Sequence, residues 1–240
     1  MEKLYSLYSK NMNGKDYICS DIHGHFSIVQ TALTGIKFNE QYDRLFCLGD
    51  LIDRGDESHL ALEWLAKPWF FAIQGNHERM LINTVERKSE TLWRQWMMWG
   101  GEWAEDISFS QLELFYEAFR NLPVAIELEL NDGKKVGMVH AELPDECDWD
   151  EIKKLLLSID PSDIETTRAT SDMLWNKSQP LLSPDELFQI QMVKNIDHVF
   201  HGHTIVNRYL TFGNRTFMDL GAYNTGQIGL ISPVDFLKKK

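Results

Sequence analysis

The chain has 240 residues and a mass of 28.0 kDa, with 43% hydrophobic and 25% charged residues. That is the size and composition of one large globular domain, so residues 1–240 are expected to form a single domain. A formal net charge of −12, 24 basic residues against 36 acidic ones, disfavours nucleic acid as a partner, because backbone binding rests on clustered Lys and Arg.

Apolar runs are far shorter than the roughly 20 residues a bilayer crossing needs. The opening MEKLYSLYSK has neither an apolar core nor a small-residue cleavage site, so no membrane partner is expected and the location is read as cytoplasmic. The three cysteines, Cys19, Cys47 and Cys147, are odd in number and widely spaced. They suit small core residues in a reducing compartment better than a disulfide framework. Lys238–Lys240 is read as a solvated tail.

No repeat, low-complexity tract or Pro/Gly/Ser linker divides the chain. Tyr17–Cys19 is a short apolar run, and Phe26, Val29, Leu33 and Ile36 follow at helical spacing. Leu45–Leu48 reads as a second strand, Leu60–Ala66 as a helix stopped by Pro68, Trp69–Ile73 as a third strand and Glu78–Val85 as a third helix. Strand and helix alternating at this spacing imply right-handed crossovers and parallel strands, whose carboxyl ends share one sheet edge.

Trp93, Trp96, Trp99 and Trp103 fall in a helical stretch interrupted at Gly100-Gly101, where their spacing favours core packing. Ser110–Phe119 is amphipathic. Val124–Leu130, the turn Asn131-Asp132-Gly133, and Lys134–Val139 read as a β-hairpin. Helices are expected at Glu151–Ser158 and Pro184–Lys194, and short strands at His198–His201, Asn207–Phe212, Arg215–Leu220 and Gln227–Ile231. An α/β half followed by a β-rich half predicts sheets packed face to face with helices outside.

The loops after the three parallel strands read SDIHGH (Ser20–His25), GDLIDRG (Gly49–Gly55) and GNHE (Gly75–Glu78). Two later strands end in HAE at His140 and GHT at His203, the latter two residues after His201. Ligands bind outside the carboxyl edge of such sheets, so the five ends are expected to converge. Asp, His and Asn without thiolates suit Mn, Fe, Zn or Mg. The candidate ligands outnumber what one open catalytic ion needs, which favours two ions, with Asp50 on the middle loop as the bridging carboxylate.

In that order, SDIHGH, GDLIDRG, GNHE, HAE and GHT resemble the signature of the PPP-type metallophosphatases. The resemblance is greatest to the bacteriophage lambda and bacterial serine/threonine protein phosphatase group. It extends from about Tyr17 to Ile231 and includes GGEW, LWN and MDLGA. It implies an α/β, calcineurin-like metallophosphoesterase fold, a β-sandwich of mixed sheets flanked by helices. It also implies a phosphoprotein substrate and a hydroxide, activated by two divalent ions, most simply Mn, that attacks phosphorus directly.

Carried over by position, Asp21, His23 and Asp50 would hold one ion, and Asp50, Asn76, His140 and His203 the other. Arg54 would grip the phosphate, and His77, oriented by Asp53, would protonate the leaving oxygen. Three positions depart from the pattern. Ser20 replaces a glycine, Glu142 follows His140-Ala141 and adds a carboxylate, and Lys177 stands where relatives carry a second phosphate-binding arginine. Lysine keeps that charge without the fork; Arg168 is a possible substitute.

His201 suits a core or supporting role, and His25, His59 and His198 are read as non-catalytic. The rivals are a diadenosine polyphosphate hydrolase on a related site, a nuclease, which the acidic charge disfavours, and a catalytically weak scaffold that binds phosphoproteins. The insert from about Leu143 to Ser171 matches no motif and is the expected seat of specificity.

Overall fold

The computed structural model describes residues 3–239. Their strands are β1 (Tyr5–Tyr8), β2 (Asp16–Cys19), β3 (Arg44–Cys47), β4 (Phe70–Ala72), β5 (Ala125–Glu129), β6 (Lys135–Val139), β7 (His198–His201), β8 (Leu210–Phe212), β9 (Arg215–Phe217) and β10 (Leu230–Ile231). Their α-helices are α1 (Phe26–Gly35), α2 (Ala61–Leu65), α3 (Asn76–Arg87), α4 (Glu90–Trp96), α5 (Phe109–Arg120), α6 (Trp149–Ser158), α7 (Arg168–Trp175), α8 (Pro184–Gln189), α9 (Ala222–Thr225) and α10 (Pro233–Lys238). None is long and apolar enough to cross a membrane. Lys240, the end of the expected tail, lies outside the described residues, and Lys238 closes α10.

Successive strand residues face opposite ways, and here both ways lead into a core. In β3 and the residue after it, Leu45 and Cys47 face the helices α1, α2, α3 and α5, while Phe46 and Leu48 face the second sheet. The first sheet runs β10-β2-β3-β4, and the second β1-β5-β6-β7-β9-β8. Ile18, Phe46, Leu48 and Ile73 meet Ile126, Leu128, Val136, Met138 and Phe200 between the sheets. On the far side of the second sheet, Trp149, Ile152, Leu156, Met173 and Leu174 of α6 and α7 pack on Val139 and Val199. The expected sandwich of mixed sheets flanked by helices is what forms.

The three early strands pair in parallel, with β3 between β2 and β4. The hairpin forms as expected, with Ala125 opposite Val139 and Glu129 opposite Lys135. Strands β6 and β7 are parallel neighbours, so their ends lie side by side.

Several bounds differ from expectation. The helix predicted over Pro184–Lys194 stops at Gln189. Beyond it the Val193 N–H is donated to Asn214 Oδ1 at 2.8 Å, and Asn214 Nδ2 is donated to the carbonyls of Val193 and Ile196. Those bonds satisfy backbone groups that a helix would have used. Strands β8, β9 and β10 are shorter than predicted, and β1, α7, α9 and α10 are additional to the predicted elements.

Candidate active site

Parallel order puts the loops after β2, β3 and β4 on one edge with the β3 loop central, and the inter-sheet packing brings the ends of β6 and β7 to them. The helix α3 begins at Asn76, so Asn76 and His77 lie in its first turn. Of the eight described non-glycine residues with positive φ, five are candidates: His23 (46°), Asp50 (48°), Asp53 (73°), Arg54 (70°) and His203 (65°). Conformations that cost energy and yet cluster in this way mark a functional site.

Asp50 is the hub. Its Oδ2 lies 3.5 Å from His23 Nε2, and its Oδ1 lies 3.5 Å from His140 Nε2 and accepts the His77 N–H at 3.0 Å. Two sets of ligand atoms each fall within 4.8 Å of one another: His23, Asp50 and His77, and Asp50, His140 and His203. Asn76 Oδ1 is 2.9 Å from His140 Nε2. Asp21 is buried in the same floor and accepts the His203 N–H at 2.9 and 3.1 Å.

These donors fit divalent cations. His140 Nδ1 faces the Leu48 carbonyl at 2.7 Å and His23 Nδ1 faces that of Ile52 at 3.1 Å. With the tautomers assigned from those partners, each Nε2 presents a lone pair to the Asp50 carboxylate, the usual orientation of a metal-ligating imidazole. His203 is reversed, with Nε2 at 3.2 Å from the Trp175 carbonyl, which leaves Nδ1 for a metal. His140 Nε2, Asn76 Oδ1 and Asp50 Oδ1 are then acceptors facing one another, an arrangement that a cation resolves.

The electrostatics agree. Burial holds the His23 and His140 imidazoles below their ordinary range. Burial, with the nearby His140, takes His203 down to about 3. For Asp50 burial opposes ionisation, but His140, His77, His23 and His203 outweigh it and keep the carboxyl below the usual range. Burial, then the charges of Asp219 and Asp50, push Asp21 well above it. Imidazoles gathered with crowded, buried carboxylates suit a cation site.

Beside the hub, His77 Nδ1 bonds Asp53 Oδ2 at 2.6 Å. Burial lowers the affinity of this imidazole for a proton, but the Asp50 charge and the Asp53 bond outweigh it, and the pKa is raised. Arg54 spans His23 Nε2 at 2.9 Å and His77 Nε2 at 3.0 Å, with its guanidinium 4.6 Å from the Tyr223 ring centre.

Other candidates lie elsewhere. Lys177 is exposed and has no ion pair with a described residue, although Trp175, two residues before it, reaches His203. Arg168 does not substitute for it as a partner of the hub: its side chain is 93% exposed and faces Asp172 at 3.6 Å. The Glu142 carboxylate, expected near the metals, turns instead to Gln179 N at 2.6 Å and Ser178 Oγ at 3.0 Å. His201 is buried, stacked on Phe217, with Nδ1 at 2.6 Å from the Ala141 carbonyl. His25, His59 and His198 bond His23 O, Asp56 O and Thr216 Oγ1 respectively.

Sequence reasoning missed the supports of the hub. Glu78, buried, accepts the N–H groups of Gly75, Asp50 and Leu51 at 2.8–2.9 Å. Its place three residues after the helix-capping Gly75 was the available signal. The Trp96 and Trp103 indoles, read only as core, donate to Asp53; Tyr223 over Arg54 was not singled out.

This fold and this set of side chains define a metallophosphoesterase. A family model described as calcineurin-like phosphoesterase matches residues 17–207, and the chain belongs to that family. It is 29% identical over 218 residues to serine/threonine-protein phosphatase 2 of Escherichia coli (strain K12), covering 88% of this chain and 89% of the relative. Among solved structures it is similar to a Saccharomyces cerevisiae protein serine/threonine phosphatase with similarity to human phosphatase PP5. That match has a TM-score of 0.63 and 20% identity and covers 91% of this chain and 71% of the other. It is also similar to a putative diadenosine tetraphosphatase, with a TM-score of 0.58 and 18% identity over 94% and 92% of the two chains. At these identities the solved structures establish the fold alone.

Proposed function

We propose that the protein is a serine/threonine protein phosphatase, a phosphomonoesterase in which Asp21, His23 and Asp50 hold one divalent ion and Asp50, Asn76, His140 and His203 a second. Manganese is the proposed metal, with iron, zinc and magnesium as the other ions this donor set suits. Such ions, when bound, supply Lewis acidity and water activation for an in-line displacement. The near-full-length match to a bacterial protein phosphatase supports the substrate class.

The observation that carries the reaction is the 2.6 Å Asp53–His77 pair beside Arg54. Arg54 offers a planar fork that matches phosphate oxygens; taking them means releasing His23 and His77. His77, bonded to Asp53 through Nδ1, then presents Nε2 to the leaving oxygen, and its raised pKa favours the protonated form that an acid needs. Lys177, two residues beyond the Trp175 carbonyl that faces His203, is the proposed source of a further point charge for the phosphate. Residues 1–240 are proposed to be one catalytic domain working in the cytoplasm, and three buried, unpaired cysteines support a reducing compartment.

The test is kcat/KM of the manganese-loaded protein on a phosphoserine peptide and on diadenosine tetraphosphate, with Asp50→Asn as control. Strong peptide turnover that the substitution abolishes is expected. Preference for the dinucleotide would move the function to nucleotide hydrolysis. Stable metal binding without turnover of either would leave a phosphoprotein-binding scaffold.

A further inference from the structure

The carboxylate that orients His77 is itself oriented. Asp53 is fully buried and accepts three N–H groups: Trp96 Nε1 on Oδ2 at 2.8 Å, Trp103 Nε1 on Oδ1 at 2.7 Å and His77 Nδ1 on Oδ2 at 2.6 Å. An indole nitrogen only donates, so both tryptophan contacts run toward the carboxylate. With an indole on each oxygen, the plane of the carboxyl group is fixed; a carboxylate held by His77 alone would be free to turn about its Cβ–Cγ bond.

The two tryptophans bracket one segment. Between them Met97–Gly101 winds as a π-helix, a form that recurs at functional sites. Gly100 has φ 107°, and its carbonyl accepts the Arg54 N–H at 2.9 Å. A Cβ there would lie 2.7 Å from Arg54 Cγ and 2.8 Å from Arg54 N. The segment therefore holds two consecutive residues of positive φ, Asp53 through its carboxylate and Arg54 through its backbone.

We propose that Trp96 and Trp103 are positioning residues for leaving-group protonation, fixing Asp53 so that His77 keeps Nε2 turned to the departing oxygen. This rests on the acid role proposed for His77. As the P–O bond breaks, the serine oxygen takes the bonding pair and the Nε2 proton together. An alkoxide needs that proton, whereas p-nitrophenolate leaves without it. The indoles therefore matter in proportion to the basicity of the leaving group, which a purely structural role would not produce.

The experiment compares kcat on a phosphoserine peptide with kcat on p-nitrophenyl phosphate for Trp96→Phe, Trp103→Phe and His77→Asn. General acid catalysis is worth roughly 10²- to 10⁴-fold. His77→Asn should then show a loss of that order on the peptide in excess of its loss on p-nitrophenyl phosphate. For each tryptophan variant the excess should be about tenfold, with little change in KM. Where phenylalanine compromises folding, benzothienylalanine at position 96 or 103 keeps the indole shape without the N–H.

In the chelator-treated protein, the two indole N–H resonances should exchange slowly and both should shift in Asp53→Asn. Equal losses on the two substrates, or indole signals indifferent to Asp53→Asn, would overturn the positioning role. A His77→Asn variant that loses no more on the peptide than on p-nitrophenyl phosphate would instead overturn the acid role beneath it.

Discussion

Gly75 shows how little slack the hub has. Its φ of −95° and ψ of 179° suit any residue, so Gly75→Ala strains nothing in the backbone and the effect lies in the added methyl. An ideal Cβ at this position falls 2.1 Å from Asp50 Oδ1 and 2.5 Å from Asp50 N, where ordinary contact begins at 3.4 Å. The carboxylate oxygen must retreat by about 1.3 Å, the difference of those first and last distances. That oxygen accepts the His77 N–H and faces His140, so the proposed metal ligand and the proposed acid shift together.

Overpacking of this kind costs about 1–3 kcal/mol, which for a chain of this size lowers Tm by about 2–12 °C. Misplacement by roughly 1 Å at a catalytic centre costs about 100-fold in rate. The control is Gly35→Ala at the end of α1, where the same methyl meets no atom within 4 Å. It should raise stability by about 0.4–1 kcal/mol through the unfolded chain and leave kinetics alone. Calorimetry of the chelator-treated proteins, manganese titration and kcat/KM on a phosphopeptide would measure all three effects. A Gly75→Ala protein indistinguishable from Gly35→Ala would refute the claim that the hub is sterically fixed.

Two further outcomes follow from single side chains. Burial, reinforced by the nearby Arg215, takes His201 down to about 3, so as pH falls below about 6.5 the unfolded imidazole gains a proton that the buried one refuses. Stability is lost in that window, about 2 kcal/mol from this group between pH 7 and pH 5. His201→Phe should therefore gain on the wild type by about 4–8 °C in Tm over that interval, and thermal melts with an unchanged difference would refute this. Tyr223, exposed to solvent with its ring 4.6 Å from the Arg54 guanidinium, contributes a cation–π contact of about 0.5–1 kcal/mol. Tyr223→Leu should raise KM for phosphopeptide about two- to fivefold while Tyr223→Phe should not; equal behaviour of the two variants would assign the contribution to the hydroxyl.

The sequence announced the parts of the fold governed by local rules. The runs Tyr17–Cys19, Leu45–Leu48 and Trp69–Ile73 each end at a polar loop, so the parallel sheet and its loaded edge were legible, as was the hairpin at Asn131-Asp132-Gly133. What escaped depends on distant partners. β1 is four residues with no alternation in burial, Tyr5 buried and Leu7 on the same face exposed, and it becomes a strand by pairing with β5, Tyr5 against Ala125. α7 buries only Thr170, Met173 and Leu174, too few apolar positions for a periodic signal, although Thr167 at its N-cap was a usable one. Tryptophan spacing could report packing but not that two indole N–H groups meet a carboxylate 43 and 50 residues earlier.

The same distinction bears on the exposed Lys177, proposed above as a phosphate ligand. Ala141 N–H is donated to Met173 O at 2.8 Å and Glu142 N–H to Asp172 O at 3.1 Å, which docks the end of β6 on α7. The Glu142 carboxylate accepts Ser178 Oγ and the Gln179 N–H, one and two residues beyond Lys177. Gln179 Nε2 is donated to Leu143 O at 2.8 Å, and the buried Arg215 guanidinium is donated to the carbonyls of Leu143 and Pro144 at 2.8 and 2.6 Å. The backbone on both sides of Lys177 is thus tied to the strand end that carries His140. A lysine acts as a point charge on a flexible stem, so its usefulness to a phosphate depends on where its backbone is held. The departures at 142 and 177 therefore act together: the carboxylate after His140 serves the loop that carries the lysine.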